Sequence, residues 1–270
     1  MNSLKNFITA KLSPVLPMRY VNILTDERSM TIFKQSFTSP SVDPEKNYEF
    51  YEQMGDVSAN KFLVYYFYRR FPVLMCPLGV KVVARLKINY GSKHTFSRLA
   101  EKEGFWDYIS ASEELKSKRK TDLLEDVFES FVGTIEFILD NRVERGLGAI
   151  AAEKYLTRIF DAEHISLDYN DLYDSKTRLK ELLDKFKTEL GKIKYTETKE
   201  FDSSGLSTTT SRIVMYPTRG RGKPQCIGIG SGRIKSEAQR SAAEEAILHL
   251  KLKGFYKQIP EEYERFRNTS

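Results

Sequence analysis

Five carboxylates stand at spacings that would let them act together. In Asn47-Tyr-Glu-Phe-Tyr-Glu-Gln-Met-Gly-Asp56, the acids Glu49, Glu52 and Asp56 fall at i, i+3 and i+7. A helix, turning about 100° per residue, projects all three from one stripe. Like charges so placed repel by a few tenths of a kcal/mol per pair even in water, and the nearest bases, Lys46 and Lys61, are poorly placed to relieve all three. A second set lies in Asp122-Leu-Leu-Glu-Asp-Val-Phe-Glu129, where Asp126 and Glu129 share a face while Val127, Phe128 and Phe131 point to a core. Each cluster alone is more often a solvated helix face than a site. Together they could converge on a divalent cation, which would offset the packing of like charges.

Other chemistries are poorly supplied. His94, His164 and His249 lie in different elements, with no partner at metal-ligand or triad spacing, and Cys76 and Cys226 stand alone without a CxxC. Carboxylates without histidine or thiolate suggest a hard, oxygen-ligated cation, magnesium with manganese as a substitute, rather than zinc. No small-molecule cofactor is indicated. Two unpaired cysteines fit an intracellular chain, with the cytoplasm favoured. Apolar runs such as residues 62–68 end in charge well short of the ~20 residues a membrane-spanning helix requires. Lys5, Lys11 and Arg19 precede the first acid, Asp26, which faintly resembles a transit peptide; Pro14 and Pro17 interrupt an amphipathic helix there, and ordinary folded sequence is the favoured reading.

The elements that must position the acids follow from periodicity. At 270 residues with 40% hydrophobic content, two domains are the default. Residues 19–170 carry apolar positions at three and four spacing, which predicts an all-α domain, with helices over 49–70, 77–88, 96–103, 120–140 and 147–160. After a polar stretch at 168–175 the texture changes. A helix over 177–190 is followed by strand candidates at 192–199, 210–216 and 225–230, the last two joined by a turn at 217–223, and then by a helix over 235–252. That order is α-β-β-β-α. The expected division is a catalytic-type domain at 1–170 with an N-terminal extension of about 20 residues, a second domain at 176–257, and a tail at 258–270.

Charge divides along the same line. The formal net charge is +6, yet residues 176–257 hold 18 Lys and Arg against 9 Asp and Glu, while the rest of the chain holds 25 against 28. A basic module beside a mildly acidic one suggests that the first holds a polyanion and the second does something else.

The motifs are similar to those of the ribonuclease III family. The segment 49–56 resembles its signature E-x-x-E-F-L-G-D, Asp126-Val-Phe-Glu129 resembles its second acidic motif, and Phe37-Thr-Ser-Pro-Ser41 resembles its A-[FL]-T-H-x-S turn, with Ser39 where histidine is usual. The resemblance implies that Glu52, Asp56, Asp126 and Glu129 are the metal-binding catalytic set, with Glu49 in support and Gly55 permitting close helix approach. Lys116-Ser-Lys-Arg-Lys120 could touch phosphates near the cut, although such a run is more often simply solvated. Gln53 replaces a phenylalanine that in the family plugs a socket in the partner subunit; that role is missing here or passes to neighbours such as Tyr51 or Met54.

The tail resembles a double-stranded-RNA-binding domain, a fold that grips A-form duplex by shape across two minor grooves. Thr177-Arg-Leu-Lys-Glu181 matches the start of its first helix, and Gly228-Ile-Gly-Ser-Gly232 with Lys235, Ala238, Ala242 and Ala243 matches its second. The resemblance assigns Glu181 to ribose hydroxyls and Arg233 and Lys235 to phosphates, with Arg240 as an addition, helped by the positive helix N-terminus. Ser236 and Gln239 stand where further bases are common, and the loop Ser203-Ser-Gly-Leu206 lacks the usual proline and histidine. Arg219, Arg221 and Lys223 read equally as phosphate contacts or a flexible charged hairpin.

What the resemblance implies is a divalent-metal endoribonuclease acting on double-stranded RNA as a homodimer, one site per strand, leaving 5′-phosphates, 3′-hydroxyls and short 3′ overhangs. The alternatives are a non-catalytic relative acting as a ribosomal or scaffolding protein, and a suppressor that sequesters duplex.

Overall fold

The computed structural model describes residues 2–201, 205–217 and 223–267. The chain divides into two compact units, one reaching Ile165 and the other starting at Ser166. The turn expected at 217–223, with Arg219 and Arg221, and the start of the 203–206 loop lie mostly outside the described residues.

The first unit is helical. It runs through α1 (Asn2–Leu12), α2 (Met18–Leu24), α3 (Glu27–Ser36), α4 (Glu49–Arg70), α5 (Pro77–Tyr90), α6 (Lys93–Lys102), α7 (Glu113–Lys118), α8 (Lys120–Arg142) and α9 (Leu147–Asp161). Helix α8 is the axis: residues 127–135 are buried without a break, so it is apolar on nearly every side, and α3, α4, α6 and α9 pack around it. Helix α4 instead buries one stripe, Tyr51, Gly55, Ala59, Phe62, Leu63, Tyr66 and Phe67, and leaves the opposite face outside. Gly146, at φ 93°, makes the left-handed turn between α8 and α9.

The first twenty residues are not an extension hung on this unit. The prolines end α1 rather than preclude it: Phe7 packs edge-on against Phe37 and Phe105 and stacks on Tyr108, and Lys11 pairs with Glu103 at 3.0 Å. Among the described residues no helix is long and apolar enough to cross a membrane.

The second unit contains α10 (Tyr169–Leu172), α11 (Ser175–Lys185), the strands β1 (Lys192–Phe201), β2 (Ser207–Tyr216) and β3 (Gln225–Gly232), α12 (Lys235–Leu252) and α13 (Glu261–Glu264). The strands form one antiparallel sheet in the order β1-β2-β3, with Lys192 opposite Tyr216 and Thr209 opposite Gly232. Leu179 and Leu182 of α11 and Ala242, Ala243, Ala246 and Leu250 of α12 close a core with Ile213 and Ile227. Alanine is needed there because the strand and helix backbones touch; a Cβ at Gly228 would lie 2.2 Å from the Ala242 carbonyl oxygen. Helix α11 ends at Lys185, five residues earlier than periodicity suggests. Residues 258–267 are a packed element rather than a loose tail, since Tyr263 and Phe266 are buried and Tyr263 meets the rings of Tyr169 and Tyr173.

Candidate active site

The acids are brought together by two helices in backbone contact. A Cβ added to Gly55 of α4 would stand 1.8 Å from the carbonyl oxygen of Glu129 on α8, and one added to Gly133 of α8 would stand 2.1 Å from the carbonyl oxygen of Tyr51. Glycine on each helix therefore lets the two backbones touch at the level of the acids, and the side chains of Glu52, Asp126 and Glu129 come within electrostatic reach of one another.

Their protonation records that crowding. Glu129 is 7% exposed; burial, and then the charges of Asp56, Glu125, Glu52 and Asp126, push its carboxyl up to about 9. Burial followed by the charges of Asp126, Glu49 and Glu125 pushes Glu52 up to about 7, against the opposing pull of Lys93. Asp126 is raised chiefly by burial, and a hydrogen bond from the Tyr48 hydroxyl to its Oδ2, 2.8 Å, works the other way. Asp56 is exposed, and its Oδ1 accepts a hydrogen bond from Asn60 Nδ2 at 2.6 Å. Glu49 lies exposed in the first turn of α4.

Three neighbours carry no signal that sequence reasoning could use. Glu125 is visible within the acidic run but has no spacing argument of its own. Lys93, at the start of α6, bridges Asp122 and Glu125 at 2.8 Å each, and nothing in the sequence links it to residues some thirty positions away. Tyr48 precedes the first signature acid and reads as an ordinary aromatic until its hydroxyl is seen on Asp126. The position of Gln53 is exposed, and Tyr51, one of the neighbours expected to take over its role, is buried against Phe137 instead; the exposed apolar residues on that side of α4 are Phe50 and Val57.

A divalent cation suits this donor set in chemistry, because the carboxylates of Glu52, Asp126 and Glu129, half-buried to buried, with Lys93 nearby leave an excess of negative charge that a multivalent cation or protons can offset. The side-chain arrangement is not a closed cage: among the described residues no three His, Cys, Asp or Glu side chains are placed to hold a metal ion. Mutual repulsion, together with the Asn60 bond on Asp56, is a sufficient reason for the carboxylates to stand apart.

The basic run before α8 is largely neutralised locally. Lys118 pairs with Glu114, Arg119 with Asp122 and Lys120 with Glu101, and Lys116 and Lys120 both approach the Trp106 ring. In the second unit, Arg233, Lys235 and Arg240 are exposed at or near the N-terminal half of α12, with Lys235 also 3.2 Å from Glu197. Gln239 has a structural use: it accepts from Lys176 and donates to Glu197, tying α11 to β1. Glu181 is held by Lys257 at 2.5 Å and by the Tyr169 hydroxyl.

An acid-bearing helical unit thus precedes a unit built on a three-stranded antiparallel sheet, and the family of the chain comes from its sequence relatives. A protein of Invertebrate iridescent virus 6 that bears the provisional name ribonuclease 3 is 38% identical over 275 residues, covering 97% of this chain and 92% of that protein. One of the same name from Frog virus 3 is 37% identical over 89% of this chain, which spans 61% of that longer relative. Ribonuclease 3 of Halalkalibacterium halodurans is 25% identical over 87% of this chain and 84% of its own. No family model matches the chain. A solved nuclease domain of ribonuclease III from Campylobacter jejuni overlaps 58% of the chain at 16% identity with a TM-score of 0.43, too loosely to fix a fold. On the strength of the sequence relatives, the chain belongs to the ribonuclease III family and is an enzyme of that family.

Proposed function

We propose that the chain hydrolyses phosphodiester bonds of double-stranded RNA with a divalent cation, Mg2+ or Mn2+, held by Glu52, Asp56, Asp126 and Glu129. The observation that supports this reading is the contact of Gly55 with the Glu129 backbone, which sets the acid-bearing stretch of α4 directly against that of α8. A divalent cation bound there would lower the pKa of a coordinated water and offset charge on the scissile phosphate. The protein's own residues do the rest. Burial among like charges favours the protonated form of Glu129, and a cation held there would favour its carboxylate. Tyr48 orients Asp126, and Glu49 adds to the negative field at Glu52.

The second unit holds the duplex. Arg233, Lys235 and Arg240 meet phosphates, and Glu181, released from Lys257, meets ribose hydroxyls. Two strands require two sites, so the active form is a homodimer, with the exposed Phe50 and Val57 of α4 at its interface. The products carry 5′-phosphates, 3′-hydroxyls and short 3′ overhangs. The test is incubation of purified protein with Mg2+ and end-labelled duplex, single-stranded RNA and duplex DNA. Cleavage confined to duplex RNA, with 5′-phosphorylated products, is expected; duplex binding without cutting would overturn the reading in favour of sequestration.

A further inference from the structure

The family-like turn at residues 37–41 carries Ser39 where a histidine is usual, and the structure shows what meets the shortened side chain. Ser39 is 1% exposed and its hydroxyl lies beside the phenol of Tyr48, itself 6% exposed. That phenol donates to Asp126 Oδ2 at 2.8 Å. The same tyrosine is fixed through its backbone: its N–H donates to the Thr38 carbonyl at 2.9 Å, and its carbonyl accepts from the Glu52 N–H at 2.9 Å. Ser39 is in turn held by the Ser41 N–H at 3.3 Å and the Ser41 hydroxyl at 3.1 Å. One residue thus joins the turn, the start of α4 and an acid of α8.

We propose that Tyr48 and Ser39 form a positioning pair that fixes the Asp126 carboxylate for the cation, so that the small residue at 39 and the long phenol at 48 act as one unit. The inference rests on the assignment of Asp126 to the metal site. A carboxylate can turn about its last torsion. With Oδ2 tied to a buried phenol, Oδ1 is left with a set direction, the usual work of a residue behind a metal ligand. Phenylalanine would keep the ring's packing and remove only the donor, leaving Oδ2 without its partner.

Tyr48→Phe and Ser39→Ala separate this from a purely structural role. Titration of Mn2+ into RNA-free protein by calorimetry is expected to show about tenfold weaker binding for Tyr48→Phe and a smaller loss in the same direction for Ser39→Ala. With duplex RNA at fixed Mg2+, kcat for Tyr48→Phe is expected to fall about 10- to 100-fold with KM little changed, while thermal melting stays close to wild type. Wild-type Mn2+ affinity in Tyr48→Phe overturns the proposal and leaves the catalytic assignment standing. An activity loss that only follows a lowered melting temperature overturns it likewise. A wild-type protein that binds no Mn2+ removes the metal site and this pair together.

Discussion

Gly55 and Glu129 touch through their backbones: the position a Cβ would take on the first lies 1.8 Å from the carbonyl oxygen of the second. Glycine at 55 is thus a condition for the acids of α4 and α8 to meet, and the gain in helix propensity from alanine, about 1 kcal/mol, is smaller than the overpacking it would cause. Gly55→Ala is expected to destabilise the protein by roughly 1–3 kcal/mol and to lower kcat. Denaturant unfolding beside a cleavage assay checks both; unchanged stability would mean that the helices separate freely.

Glu129→Gln and Asp56→Asn remove a carboxylate charge at similar volume and leave the basic unit alone. Both are expected to abolish cleavage with duplex affinity nearly intact. In the absence of divalent metal, Glu129→Gln is also expected to melt higher than wild type at pH 8, because a buried carboxyl among like charges is replaced by a neutral amide. Near-wild-type cutting by either variant would sink the site assignment.

Asp26 links pH to stability away from the site. It caps α3 through the Ser29 N–H at 2.9 Å and receives Arg142 on both oxygens, at 2.8 and 2.6 Å. Arg142 holds its carboxyl at about 2, below the ordinary 3.8. A depressed carboxyl stabilises the fold above its unfolded value and loses that contribution as pH falls through the folded one. The side chain is 37% exposed, so solvent screening reduces the effect to about 1 kcal/mol. Asp26→Asn is therefore expected to lower the melting temperature at pH 6 and to converge on wild type between pH 4 and 2. A gap that persists at pH 2 would contradict this.

Val57 is 64% exposed and Phe50 53% exposed on the same helix. If they form the dimer interface, Val57→Asp is expected to shift sedimentation from dimer to monomer and to leave nicks in place of double cuts. A dimer undisturbed by the change would place the interface elsewhere.

Truncation after Ile165, at the boundary between the compact units, removes the basic residues of 176–257. Duplex affinity is expected to fall and its salt dependence to flatten, by about one unit of slope for each phosphate the protein no longer neutralises. Arg233→Ala with Lys235→Ala should reproduce part of this without altering preference among duplex sequences, since phosphate contacts carry no base information. Equal salt slopes for all three proteins would exclude the second unit as the grip.

Periodicity alone determined much of the architecture. Helices over 49–70 and 235–252 carry long, regular apolar patterns, and their bounds match those of α4 and α12, while the three strands are each a few residues longer than alternation marks. That Glu49, Glu52 and Asp56 share one stripe of a helix, and Asp126 and Glu129 another, was legible in the sequence, because i, i+3 and i+7 depend only on helix geometry. Where α1 and the 258–267 segment go was not legible: short elements hold by rings such as Phe7 on Tyr108 and Tyr263 on Tyr169, and such contacts join residues far apart in the chain. Only the tertiary structure decided that α8 is buried on nearly all sides, so that Glu129 is an acid in a core rather than on a face. It alone brought Lys93 to Asp122 and Glu125, and the Tyr48 phenol to Asp126, because hydrogen bonds and ion pairs act through distances that sequence separation does not encode.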